Sequence, residues 1–175
     1  MRTLVAVLFG VFSLSVHAKP WNAIDPGTST RAEVIQKFGE PSRAITADAK
    51  EVLAYFGKQA IKGTQQTQFR VDPKSQLVER IDVFPGPVVD KEAVESAYGP
   101  ACPQGSPLSG APCYAKRLTD DFRTYFLYTK AGLAVFFNED AKTVQSLIFQ
   151  PAPKSTTEGS AQTAASASTP STPSP

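Results

Sequence analysis

Histidine is nearly missing from the 175-residue chain, with His17 the only one. Cysteine is scarce too, limited to Cys102 and Cys113. Neither sign of charge dominates, since 18 Lys and Arg face 16 Asp and Glu. Each shortage excludes something. If His17 leaves with the leader described below, no imidazole remains, which removes His general bases, His metal ligands and Ser-His-Asp chemistry together. A formal net charge of +2 gives no electrostatic footprint for nucleic acid or anionic lipid. The apolar runs also fall short of the roughly 20 residues that a membrane-spanning helix needs. The length allows one ordinary domain or two very small ones.

The N-terminus reads as a secretory signal over 1–18. Arg2 supplies the positive start, Leu4 to Leu14 the apolar core, and Val16-His17-Ala18 the small-residue pattern before a cut that leaves Lys19 first. No Cys follows the apolar core, so an acceptor for bacterial lipidation is lacking. The expectation is a soluble exported protein, periplasmic or extracellular, with no transmembrane or lipid anchor. From Pro151 onward the chain turns to Ala, Ser, Thr and Pro, with Lys154 and Glu158 its only charges. Such a segment cannot bury enough apolar surface to offset its ordering entropy, and 153–175 reads as a disordered tail. Setting aside Arg2, Lys154 and Glu158 leaves 16 basic and 15 acidic residues in 19–152.

That middle part repeats itself. Thr30-Arg31-Ala32-Glu33 has the spacing of a capping box and predicts a helix carrying Val34, Ile35 and Phe38 on one stripe, ended by Gly39 and Pro41. Sixty positions on, Asp90 is placed to cap a helix with Val94, Ala97 and Tyr98, ended by Gly99 and Pro100. The stretch Phe69 to Pro85 then lies without a gap over Val135 to Pro151. Both read as strand, polar turn, strand, proline, with turns at Asp72-Pro73-Lys74-Ser75 and Asn138-Glu139-Asp140-Ala141. Further strands are predicted at Glu51 to Phe56, Tyr114 to Leu118 and Thr124 to Thr129. The expected fold is α+β, with two tandem units over 19–86 and 87–152. Each unit is a short helical segment packed on an antiparallel sheet of three to four strands.

Asp25-Pro26-Gly27-Thr28-Ser29-Thr30-Arg31-Ala32-Glu33-Val34, followed by Phe38-Gly39-Glu40-Pro41, resembles the Gly-x-(Ser/Thr)-x-x-(Glu/Gln)-Val…Gly-x-Pro opening of a superfamily of exported bacterial proteins. It includes the SmpA/OmlA/BamE-like lipoproteins of the β-barrel assembly machine and the secreted β-lactamase inhibitor proteins. The inhibitor branch is similar in having two tandem helix-plus-sheet units, and in placing a disulfide between a helix end and the next strand, where Cys102 and Cys113 fall. The resemblance, over roughly 24–151, implies a protein-binding scaffold. In an exported chain a close, even pair of cysteines also favours a disulfide over a metal site or a nucleophile.

Catalysis finds little to use. Asp120-Asp121 and Glu139-Asp140 are turn neighbours, which do not give the facing separation that glycosidases need. Glu79 and Asp82, with Arg80, are expected to pair across a sheet. The serines have no His, and no Lys in a catalytic motif, to activate them. No Gly-rich loop cradling phosphate precedes a helix. No catalytic residue, metal site or cofactor is expected.

The uneven feature is the second sheet. The register partners of Arg70 and Asp82 are Phe136 and Ile148, so a polar face has turned apolar. Tyr125-Phe126-Leu127-Tyr128 is apolar on both faces. That face must be covered by the sister unit, by the 102–113 loop, or by a partner. Tyr125, Phe126, Tyr128, Phe136 and Ile148 are therefore the candidate partner-binding residues. The expected function is that of a non-enzymatic protein-binding scaffold, assisting envelope assembly or modulating an envelope enzyme through the sheet surface. A different class of reading is a module that binds a small ligand or cell-wall fragment in the cleft between units.

Overall fold

The computed structural model describes residues 20–103 and 112–153. The expected leader, the middle of the 102–113 loop and the tail beyond Pro153 lie outside the described residues. Helix α1, Arg31–Phe38, begins at the expected capping box: the Glu33 N–H donates to Thr30 Oγ1 at 3.3 Å and the Thr30 N–H to Glu33 Oε2 at 2.7 Å. It ends at Gly39, whose φ of 79° needs a glycine. Helix α2, Lys91–Tyr98, corrects one expectation: Asp90 occupies the cap position, but its carboxylate makes no capping hydrogen bond. A hairpin serves instead. The Lys91 N–H donates to the Lys142 carbonyl at 2.9 Å, as the Arg31 N–H does to the Gln76 carbonyl at 2.8 Å. One otherwise unsatisfied N–H of each helix is thus met by the neighbouring turn.

The strands are β1 Arg43–Ala47, β2 Lys50–Phe56, β3 Thr64–Val71, β4 Val78–Pro85, β5 Ala115–Leu118, β6 Thr124–Tyr128, β7 Leu133–Phe137 and β8 Val144–Phe149. They form one antiparallel sheet in the order β1-β2-β3-β4-β8-β7-β6-β5. In place of separate smaller sheets, β4 and β8 pair antiparallel, matching Ile81 with Phe149, Asp82 with Ile148 and Val83 with Leu147. Strand β1 falls outside the sequence expectation, because its residues are mostly exposed and show no buried period.

Successive pairings align Ala44, Leu53, Phe69, Ile81, Phe149, Leu133 and Tyr128 in one row on one face. All but Ala44 are buried, in a single apolar core that also takes Val34 of α1 and Val94 of α2. Both helices therefore cover the same face. Tyrosine hydroxyls fix them there: Tyr55 donates to the Gly39 carbonyl and Tyr128 to the Gly99 carbonyl, each at 2.9 Å. Cys102 and Cys113 form the expected disulfide, with Cα atoms 4.9 Å apart, joining the segment after α2 to the start of β5.

Candidate interaction face

The residues of opposite parity make a face that carries no helix among the described residues, the helix-free face. One row crosses all eight strands: Arg43, Ala54, Gln68, Asp82, Ile148, Ala134, Leu127 and Ala115. Its character changes at the β4/β8 seam. On β3 and β4, Arg70 and Arg80 stand directly opposite each other, a repulsive arrangement that Asp82 relieves. The Arg80 Nε donates to Asp82 Oδ1 at 2.7 Å, and the Arg70 Nε lies 3.7 Å from Asp82 Oδ2. The Asp82 side chain is only 6% exposed, and two neighbouring guanidiniums offset the cost of burying it. Pairing across the sheet, the expectation for Glu79 and Asp82 with Arg80, holds for Glu79, which reaches Lys50 of β2 at 2.8 Å, and for Asp82 only through Arg70 of β3; Arg80 bonds Asp82 along their own strand.

Across the seam the face is mostly apolar, with Ser146 opposite Phe136 and Arg117 of β5 opposite Tyr125 as its polar members. Tyr125 and Phe136 are register partners whose rings stack with centroids 5.0 Å apart. Ile148, Ala134 and Leu127 continue the surface, and all five residues are half-buried, so each still meets solvent. The structure divides the sequence-derived set accordingly. Tyr125, Phe136 and Ile148 share the helix-free face. Phe126 and Tyr128, at 3% and 1% exposure, are core residues on the helix side. Phe126 stacks on Tyr114 at 3.6 Å, and Tyr128 is held by Gly99, so neither can meet a partner. Strict strand alternation separates 125 and 127 from 126 and 128. An apolar run on both faces gives no sign of which parity points outward. Leu127 and Ala134 belong to the outward set and were reachable only through that parity.

The acidic turns are occupied structurally. Asp140 accepts from the Lys142 and Thr143 N–H groups at 2.8 and 2.9 Å and from the Thr143 hydroxyl at 2.7 Å. These bonds hold its carboxyl below the usual range. Asp121, in the β5–β6 turn, is lowered by the Thr119 hydroxyl and by Arg123. Hydrogen bonds from Ser75, then Lys50, lower Asp72 in the β3–β4 turn. A general acid at neutral pH needs the opposite shift. A polar groove of about 450 Å³ lies beside the β7–β8 turn, lined by Arg123, Asn138, Glu139, Asp140, Thr143 and Gln145. Most of its polar groups bond one another: Asn138 Nδ2 donates to Thr143 Oγ1 at 2.9 Å and Arg123 Nη1 to Gln145 Oε1 at 3.3 Å. Among the described residues no group of three or more His, Cys, Asp or Glu could hold a metal ion, and no helix is long and apolar enough to cross a membrane.

No protein-family model matches the chain, and no curated protein matches it either. Among solved structures, a DUF4309 family protein (YjgB) from Bacillus subtilis is similar, with a TM-score of 0.47 and 17% identity over 74% of this chain and 82% of that one. The likeness is too loose to assign a family or an activity.

Proposed function

We propose that the chain is an exported, non-enzymatic protein-binding scaffold, made of two tandem helix-plus-sheet units over 19–86 and 87–152, that seats its partner on the helix-free face of β6, β7 and β8. In this reading 1–18 is a signal peptide and 153–175 a disordered tail. One observation carries the binding role: Tyr125, Phe136, Ile148 and Leu127 form an aromatic and aliphatic patch that solvent reaches, beside a half of the same face that is charged. Such anchors dominate protein interfaces. The tandem reading is supported by matched devices: Tyr55 on Gly39 and Tyr128 on Gly99, and Arg31 on Gln76 and Lys91 on Lys142.

The test pairs Tyr125→Ser with Phe136→Ser in one variant. It should fold with less than about 2 kcal/mol lost and should fail to recover a stoichiometric envelope protein that the parent recovers. Sequencing the exported parent should find Lys19 first. The small-ligand module comes second, because β4 and β8 are hydrogen-bonded along the seam where its cleft was expected. Absence of any protein partner, with thermal stabilisation by cell-wall glycan fragments, would favour it.

A further inference from the structure

An open sheet leaves two edges, which among the described residues are β1 and β5. Edge strands present unpaired N–H and C=O groups, and proteins blunt them with charge, proline, bulges or cover. Strand β5 is blunted. It is four residues long, carries exposed Lys116 and Arg117, and is preceded by Tyr114, already bridged to Ala101 and hydrogen-bonded to Cys102 and Pro100. Strand β1 has fewer of these devices, the exposed Arg43 at its start being its only charge. Arg43-Ala44-Ile45-Thr46-Ala47 has no proline, glycine or acid, pairs with β2 without a bulge, and exposes four of its five residues. Ile45, β-branched and suited to a strand, is 45% exposed.

We propose that β1 is a self-association edge, on which the β1 of a second copy pairs antiparallel about a two-fold axis through Ile45. That register alone pairs all five residues: Arg43 with Ala47 of the other copy, Ala44 with Thr46, and Ile45 with Ile45. Odd positions meet odd positions, so the helix-free faces of both copies stay on one side. Charge agrees with the register. Arg43 makes no ion pair among the described residues and is not opposed by its own copy. It is brought beside the second copy's Asp48, whose side chain is 88% exposed and reaches Arg70 only at 3.9 Å. Five residues a side are far fewer than the roughly 20–30 of a standard interface, so the dimer is weak and concentration-dependent.

Sedimentation equilibrium of the mature full-length chain over a wide concentration range tests this, with a reversible monomer–dimer mass expected. Ile45→Lys should raise the dissociation constant at least about tenfold while leaving the thermal midpoint of the dilute protein in place. Ile45→Cys gives a second readout that does not depend on the lysine variant folding. Under mild oxidation it should cross-link copies through residue 45, and Arg43→Cys, which faces Ala47, should not. A monomer at every concentration, a dimer indifferent to Ile45→Lys, or equal cross-linking by both cysteine variants would each overturn the proposal. So would protection of the β1 amides that point away from β2, if it persists undiminished on dilution, since it would put a segment of the same chain on the edge.

Discussion

Tyr55 and Tyr128 show how one hydroxyl can hold a helix end. Each buried ring sends its O–H to the carbonyl of the glycine that ends a helix, Gly39 or Gly99, so an acceptor that the helix cannot satisfy is met by the sheet. Tyr55→Phe and Tyr128→Phe should each cost about 1–2 kcal/mol in urea denaturation, whereas Tyr125→Phe, on the outward face, should stay within about 0.5 kcal/mol. Two phenols, Tyr55 and Tyr114, set an alkaline limit. Burial, with Glu40 nearby, pushes Tyr55 from 10.0 up to about 12. Burial and the bond to Glu95 do the same for Tyr114, to about 12. The unfolded chain therefore releases these protons first. Stability should be complete below pH 10.0 and fall as the pH rises toward about 12, which tyrosinate absorbance and circular dichroism followed together would check. The tyrosines were visible in the sequence; which neighbour pointed inward was not, because 125–128 is apolar at every position.

At the scale of elements, the helices were legible because their start and stop signals are local. Thr30 with Glu33, and Gly39 before Pro41, act within a few residues of themselves. Asp90 did not cap as expected, because α2 takes its acceptor from the 138–143 turn, a contact invisible to local spacing. Two helix-ending glycines give a graded test. Gly39 has φ 79° and nothing within 4 Å of an added Cβ, while Gly99, at φ 106°, would place it 2.0 Å from the Pro112 carbonyl oxygen. Gly39→Ala should cost about 1 kcal/mol from backbone strain, and Gly99→Ala roughly 3 kcal/mol once the steric term is added. The Cys102–Cys113 bridge holds the same approach of the segment after α2 to the start of β5. Replacing both by Ser should cost slightly less than about 3 kcal/mol, read as a shifted denaturation midpoint.

For the whole molecule, the pairing of β4 with β8 joins elements far apart in sequence, and no local pattern announces it. The order of helices, strands and turns could be read locally, but the joining of the strands into one sheet could not, since the pairing of Asp82 with Ile148 spans 66 positions. A shared core implies shared unfolding. Trp21, the sole tryptophan, lies 6.2 Å from Phe38 and 6.1 Å from Phe69, and so reports on the α1 side. Near-ultraviolet dichroism of Tyr114 and Tyr128, 5.5 Å apart, reports on the α2 side. Both transitions should coincide. Ile81→Ala at the seam should move them together by about 2–5 kcal/mol, and two separated transitions would mean that the halves fold independently.

The basic residues of β5 matter most when two molecules meet. A contact that uses the same strand from both copies consumes itself and leaves no vacant equivalent. The joined sheet would then end at β5 on either side, where Lys116 and Arg117 of one molecule would confront those of the next. Growth stops at two, and a sheet with an attractive edge is kept from polymerising into fibres.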